Sequence, residues 1–132
     1  EEIYKEADII SLHIPLTDET RYLVNDNFIN QFKKNFYLIN ISRGECVKTK
    51  SLVNHLKTGK LQGACLDVLE TEEKSFNNLN KNVLNDDMNY ILNSDKIILS
   101  PHIAGWTLES NIKIAEVLLE KVTIFAKENI NL

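Results

Sequence analysis

The feature that most limits the possible folds is a series of short apolar runs separated by helical patterns. These runs are "ADIISLHIP", "FYLINI" (36 to 41), "GACLDV" (63 to 68) and "KIILS" (96 to 100). Each has the length of a strand, and an unbroken apolar run is typical of a strand buried on both faces. Strands that alternate with single helices predict right-handed βαβ crossovers and a parallel sheet covered on both sides. The predicted fold class is therefore α/β.

Helix signals lie between and after these runs. Asn25 or Asp26 can cap a helix in "NDNFINQFKK", because short polar side chains accept hydrogen bonds from the first free N–H groups. A second helix in "TKSLVNHLKTGK" stops at Gly59, as expected for a glycine just past a C-terminus. A long helix with an apolar stripe is predicted from about Leu108 to Glu128.

Composition excludes several classes of function. The 132 residues are 43% hydrophobic and 26% charged, which is typical of one soluble globular domain. The net charge of −4 is interspersed along the chain and forms no basic stripe, so neither nucleic acid nor a membrane is a predicted partner. No apolar run approaches the roughly 20 residues of a membrane span, and the first residues are acidic where a signal peptide is basic. We therefore expect a cytoplasmic protein.

Cysteine and glycine spacings argue against two kinds of site. Cys46 and Cys65 belong to no CxxC or Cys/His pattern, which indicates reduced thiols, no disulfide and no metal site. None of the glycines forms a GxGxxG or P-loop phosphate-binding motif; they are Gly44, Gly59, Gly63 and Gly105.

Ligands of parallel α/β sheets bind beyond the carboxyl ends of the strands, and here those ends carry reactive side chains. In chain order these are His13, the turn Ser42-Arg43-Gly44, Asp67 with Glu70 and Glu72, and His102. The sequence therefore predicts that an arginine, a carboxylate group and a histidine share one edge of the sheet.

Arg43 is one of two arginines against thirteen lysines. Its planar guanidinium suits bidentate binding of a substrate carboxylate. A structural salt bridge to Asp67 or Glu70 is an equally open interpretation.

His102 gains a role when it is considered with a carboxylate. A carboxylate that accepts a hydrogen bond from one imidazole nitrogen fixes the tautomer and raises the pKa, so the other nitrogen can deliver a proton near neutral pH. Arg43, Glu72 and His102 would then form a site that reduces a carbonyl next to a carboxylate.

Four segments resemble motifs of the D-isomer-specific 2-hydroxyacid dehydrogenases, a family that includes phosphoglycerate, D-lactate and glyoxylate/hydroxypyruvate reductases. They are "EADIISLHIPLTDETRYLV", "INISRGECV", "LKTGKLQGACLDVLETEE" and "IILSPHIAGWT", in the family's order and at compatible spacings. The resemblance implies the C-terminal, NAD-binding part of a phosphoglycerate dehydrogenase-like enzyme. It implies a partial Rossmann-type, doubly wound parallel sheet that lacks its first βαβ unit. Residues 1–106 would belong to that domain, and 107–132 would form a return helix toward a substrate domain.

The resemblance also implies roles for individual residues. Arg43 would hold the carboxylate and carbonyl of the substrate, Glu72 would orient the histidine, and His102 would exchange the proton. The cofactor would be NAD, with no metal. Ile14, Pro15 and Thr20 would line the adenosine side of the cofactor site, and Ile41 and Ser42 would line its nicotinamide side. Asp67 would hold the carboxamide of the nicotinamide. Ala104 and Gly105 would allow the backbone to approach the cofactor closely.

The expected function is hydride transfer between NAD(H) and a small D-2-hydroxy acid or 2-keto acid, with 3-phosphoglycerate among the candidate substrates and a homodimer as the full-length assembly. The alternative is a non-catalytic, dehydrogenase-like binding module or a truncated relic. Family members carry a glycine-rich phosphate loop and an acidic ribose-binding residue ahead of this region. These 132 residues by themselves are therefore expected to be inactive and to bind the cofactor poorly.

The chain departs from the family pattern after the third strand. Glu73 follows Glu72 where the family usually has a proline, so the loop with the orienting acid would be less rigid. Glu70 is a possible substitute for that acid.

Two further departures concern the helices. Lys48 stands where the family commonly has an acidic helix cap, a change for which Thr49 could compensate. Residues 73 to 95 form a polar, asparagine-rich insertion, with a helix predicted around Val83 to Leu92, that could alter the mouth of the pocket.

Overall fold

The structure is a computed structural model that describes residues 1–70 and 85–129. The chain separates into two compact units, Glu1–His102 and Ile103–Leu132. Glu72 and most of the predicted insertion lie outside the described residues. The division into 1–106 and 107–132 stays a prediction.

The first unit contains a four-stranded parallel sheet with the strands in chain order. The strands are β1 (Ile9–Leu12), β2 (Phe36–Asn40), β3 (Leu61–Leu66) and β4 (Ile97–Leu99), and the helices are α1 (Ile3–Glu6), α2 (Asp26–Gln31), α3 (Thr49–Thr58) and α4 (Asp86–Asn93), with a 3₁₀ turn at Gly44–Cys46. The predicted α/β class and parallel sheet are confirmed.

Local capping explains where the helices begin and end. Asn25 Oδ1 accepts a hydrogen bond from Phe28 N at 3.1 Å, so Asn25 caps α2. Gly59 has a φ of 82°, the left-handed conformation that ends α3 at low cost only for glycine. Asn85 Oδ1 accepts from Met88 N at 2.9 Å and caps α4.

Burial alternates along the strands. On one face, Ile10, Leu12 and Leu38 join α2, α3 and α4 in a single apolar core. On the other face, Ile9, Tyr37 and Ile98 are 59%, 47% and 68% exposed. Among the described residues, the helices that connect the strands therefore lie on one face of the sheet, and the other face is exposed. The reason is topological, since right-handed crossovers between strands in sequential order place every connecting helix on the same face.

The second unit contains one long helix, α5 (Leu108–Asn129), close to the predicted range. Thr107 Oγ1 accepts a hydrogen bond from Ser110 N at 3.0 Å, which satisfies one free donor of the first turn. Its apolar side chains, including Ile112 and Leu119, are exposed. Across the described ranges, no helix combines the length and apolarity needed to span a membrane.

Candidate active site

The turn after β2 is built on the side chain of Asn40. This residue ends β2 on its buried face and is only 1% exposed. Its Nδ2 donates to Arg43 O at 3.0 Å, and its Oδ1 accepts from Ser42 N at 3.1 Å. A buried amide without partners would cost about 1–3 kcal/mol. Both ends of this amide are used, so it fixes the turn that carries Arg43.

Arg43 presents its side chain to solvent. Its Nη1 donates to Ser42 O at 2.7 Å, which directs the guanidinium back over its own turn. Within 1–70 and 85–129 it forms no salt bridge. The structural ion pair with Asp67 or Glu70 is therefore not formed, and Arg43 keeps a planar set of donors that can receive an anion.

Gly44 brings two loops into contact. A Cβ atom built on Gly44 would lie 2.0 Å from Leu69 O and 2.6 Å from Glu70 N. No side chain fits in that space, so only glycine allows the Arg43 turn to lie against the loop after β3.

The ends of β3 and β4 are joined through Asp67. This carboxylate is 5% exposed, and Ser100 Oγ donates to its Oδ1 at 2.6 Å. The backbone of Asp67 accepts from His102 N at 2.9 Å. A strand-end carboxylate and the predicted proton-exchanging histidine are thus held by the same hydrogen-bonded pair of strand ends.

His102 has a left-handed backbone with a φ of 56°. Histidine is among the residues enriched in this region, although a non-glycine residue there costs about 1–3 kcal/mol. The hydrogen bond to Asp67 O helps to stabilise it, and the side chain is exposed at the edge of the sheet. This bond and the preceding Pro101 restrict the backbone at His102.

Glu70 connects three segments. Tyr22 Oη donates to its Oε1 at 2.9 Å, and Thr49 N donates to its Oε2 at 2.8 Å. Lys48 gives α3 no side-chain cap, so Glu70 caps this helix from a distant loop, and its negative charge suits a helix N-terminus. The side-chain cap at the N-terminus of α3 therefore comes from Glu70, whose carboxylate accepts from Thr49 N. With both oxygens engaged in this way, Glu70 acts as a structural anchor.

The pKa of Tyr22 is raised above its ordinary value. The first cause is the hydrogen bond that its hydroxyl donates to Glu70, and the second is repulsion between a phenolate and the Glu70 carboxylate.

The loop after β1 holds several predicted cofactor residues together. Ser42 Oγ accepts from Ile14 N at 2.9 Å. Thr20 Oγ1 donates to Pro15 O at 2.7 Å and accepts from Thr17 N at 2.7 Å. Ile14, Pro15 and Thr20 are therefore part of one hydrogen-bonded loop that is tied to Ser42 at the end of β2.

Of the remaining predicted site residues, those that the structure describes form none of the hydrogen bonds that link the loops after β1 and β2. Ile41 is partly exposed beside Ser42. Ala104 and Gly105 belong to the second unit, where Ser110 Oγ donates to Gly105 O at 2.5 Å. Among the residues that the structure describes, nothing lies within 4 Å of a Cβ built on Gly105, so these residues do not require glycine there. Glu72 lies outside the described residues.

Comparison with known proteins identifies the family. Residues 1–104 match the model of the D-isomer specific 2-hydroxyacid dehydrogenase NAD binding domain. The chain belongs to this family. It is 33% identical over 127 residues to an aromatic 2-oxoacid reductase of Clostridium sporogenes, covering 95% of this chain and 38% of that protein. It is 39% identical over 114 residues to a glyoxylate reductase of Thermofilum pendens, and this match covers 86% of this chain and 30% of that protein.

Solved structures of 2-hydroxyacid dehydrogenases have the same fold. A D-lactate dehydrogenase from Aquifex aeolicus, complexed with NAD and lactic acid, aligns with a TM-score of 0.74 and 37% identity over 98% of this chain and 40% of that one. A D-2-hydroxyisocaproate dehydrogenase aligns with a TM-score of 0.83 and 27% identity, over 98% of this chain and 40% of that one. The chain thus spans well under half the length of these relatives. The predicted family, Rossmann-type fold and NAD cofactor are confirmed.

The residues at the strand ends of this dehydrogenase domain fit a dinucleotide. Asp67 carries a carboxylate, whose oxygens are the kind of acceptor that the amino group of a carboxamide needs. The Thr20 hydroxyl donates its proton within its own loop, to Pro15 O, so Thr20 shapes that loop. In the described ranges no cluster of three or more His, Cys, Asp or Glu could hold a metal ion.

Sequence reasoning missed Asn40 and the joint role of Tyr22 and Glu70. Asn40 had a readable signal, because it follows Phe36 and Leu38 at the period-2 positions of one buried face. A polar residue at such a position needs partners. The bond from Tyr22 to Glu70 spans 48 positions, and no local pattern encodes it.

Proposed function

We propose that this chain is the NAD-binding part of an oxidoreductase that interconverts a 2-keto acid and a D-2-hydroxy acid. One observation carries the proposal: successive strand ends present Arg43, Asp67 and His102, tied together by the contact of Gly44 with Leu69 and by the bond from His102 N to Asp67 O. This juxtaposition offers an anion receptor, a buried carboxylate and a proton donor at one edge of one sheet.

Each reacting residue has a distinct task. The exposed guanidinium of Arg43 binds the carboxylate of the substrate through charge-assisted hydrogen bonds. His102 exchanges a proton with the oxygen on the substrate's second carbon, and Glu72 orients the imidazole. The bound nicotinamide supplies or accepts the hydride.

The cofactor site is proposed on the same edge. On that edge the residues are Ile14, Pro15 and Thr20 toward adenosine, Ile41 and Ser42 toward nicotinamide, and Asp67 toward the carboxamide. Ala104 and Gly105, which belong to the second unit, are proposed from the family resemblance as positions of close backbone approach. The hydrogen bond between Ile14 N and Ser42 Oγ supports a shared role for the first two groups.

The substrate is proposed to be a small 2-keto acid, and 3-phosphoglycerate is one of the hydroxy acids to be tested. We further propose a cytoplasmic location, a homodimer of the full-length protein, and the division into a cofactor domain to residue 106 and a return helix from 107. The free thiols of Cys46 and Cys65 suit a reducing compartment.

The test is turnover by the full-length protein as its gene encodes it. NADH and NADPH oxidation would be followed with pyruvate, glyoxylate, phenylpyruvate and phosphohydroxypyruvate. His102→Ala should lower kcat by about 10²–10⁴-fold, and Arg43→Ala should raise the KM for the keto acid about 10- to 100-fold. Arg21→Ala is the matched control, because Arg21 pairs with Glu45 on the surface.

Two results would count against the proposal. Unchanged turnover in His102→Ala would remove the assigned acid. A folded wild type with no turnover on any 2-keto acid would favour a binding module. The 132 residues alone contain no GxGxxG motif and should bind NADH weakly in calorimetry, and tight binding would contradict this expectation.

A further inference from the structure

We propose that Asn40 is a positioning residue that sets the geometry of Arg43 for the substrate. This inference rests on the proposed function and adds to it a residue that does not touch the substrate itself.

The contacts of Asn40 reach both loops of the site. Its side chain bonds Arg43 O and Ser42 N. Its backbone carbonyl accepts from Asp67 N at 3.0 Å. One buried residue therefore holds the turn with the guanidinium and the start of the loop with the buried carboxylate.

The chemistry of the position requires a primary amide. One planar group must donate to a carbonyl and accept from an N–H. Aspartate keeps the acceptor and loses the donor, and leucine offers neither. The preceding residues on this face of β2 are apolar, so only these partners account for a buried polar side chain here.

The effect on Arg43 follows from the backbone. The Asn40 amide brackets the Ser42–Arg43 segment, with Ser42 N held on one side and Arg43 O on the other. The guanidinium then bonds Ser42 O within that fixed turn. Arg43 O also accepts from Cys46 N at 3.1 Å, so losing the donor at Asn40 removes one of two hydrogen bonds at this carbonyl. The turn then keeps its backbone bond but loses its link to the buried end of β2, and the direction of the guanidinium is less well defined.

The experiment is a double-mutant cycle in the full-length protein. Asn40→Asp should raise the KM for the 2-keto acid about 5- to 20-fold and lower kcat far less. In the Arg43→Ala background, Asn40→Asp should change that KM by less than about two-fold, because a residue that acts through Arg43 has nothing left to position. Asn54→Asp, at an exposed position of α3, is the matched control.

Additive effects of Asn40→Asp and Arg43→Ala would overturn the proposal, since they would show a merely structural role. An inactive wild type would contradict both the proposed function and this inference. An active wild type whose KM for the 2-keto acid is unchanged by Asn40→Asp would contradict this inference alone. If Asn40→Asp does not fold, amide exchange in the wild type decides. The Ser42 N–H should be protected by Asn40 Oδ1, and exchange at the rate of a free amide would refute the geometry.

Discussion

The hydroxyl of Tyr22 donates a hydrogen bond of 2.9 Å to Glu70, and the other oxygen of the same carboxylate accepts from the backbone of Thr49 at 2.8 Å. Tyr22 adopts a left-handed φ of 54°, and its own N–H donates to Glu45 O at 2.7 Å. One carboxylate therefore joins the loop before α2, the start of α3 and the loop after β3.

The first prediction concerns the dependence of stability on alkaline pH. Tyr22 has a raised pKa in the folded protein, so folding favours the protonated phenol. Its contribution is fully present below the unfolded pKa of about 10 and is lost as the pH rises through the folded value. Tyr22→Phe should lower the free energy of unfolding by about 1 kcal/mol or less at neutral pH.

Urea unfolding of both proteins between neutral pH and about pH 11 measures this difference. The gap between wild type and Tyr22→Phe should shrink above pH 10. A gap that stays constant across the range would show that the Glu70 bond does not stabilise the neutral phenol.

The second prediction concerns the cap of α3. Glu70→Ala removes the acceptor of Thr49 N and should lower the free energy of unfolding by about 1–2 kcal/mol. Glu19→Ala, an exposed acid in the loop after β1, should have a change within about 0.5 kcal/mol. Chemical denaturation gives both numbers, and equal losses would mean that Glu70 is ordinary surface charge.

The third prediction separates the roles of two glycines. Gly44→Ala should destabilise the protein by on the order of 3 kcal/mol, because its Cβ would overlap Leu69 O. Gly105→Ala should leave the melting temperature nearly unchanged, since space is open there. If Gly105 allows close cofactor approach as proposed, that variant should instead raise the KM for NADH. A stable Gly44→Ala protein would contradict the contact between the two loops.

The fourth prediction concerns the buried carboxylate. Ser100→Ala removes the donor to Asp67 Oδ1 and should cost about 1–3 kcal/mol of stability. Ser51→Ala is the control, because the Ser51 hydroxyl is buried without a hydrogen-bond partner in the described part of the chain. Its removal should be neutral or slightly stabilising. Thermal unfolding compares them, and an equal response would show that the Ser100 bond contributes nothing.

Features encoded by neighbouring residues could be predicted from the sequence. Asn25 and Gly59 mark helix ends through contacts with their own helices, and the apolar runs mark the strands. The cap of α3 could not be predicted, because Glu70 lies 21 positions from Thr49. The exposure of the second face of the sheet among the described residues could not be predicted either, because an apolar run does not specify what covers it.

The same limit applies to the candidate site. The residue types at the strand ends were readable, and the family motifs implied their roles. The Asn40 side chain holds the turn that carries Arg43 through hydrogen bonds to the backbone of Ser42 and Arg43. These contacts depend on the position of the side chain in the fold, which the sequence pattern does not specify. The sequence therefore indicates candidate reacting groups, whereas the contacts that hold them become visible only in the structure.

The sequential order of the strands has a consequence for how this domain forms during synthesis. Each strand pairs with the one made just before it, so every pairing closes a loop of only one crossover. A single crossover is the shortest connection that two parallel neighbours can have, and domains fold from the N-terminal side as the chain is made. The sheet can therefore grow strand by strand on the ribosome, with each new crossover helix covering the strands on the core side as it emerges.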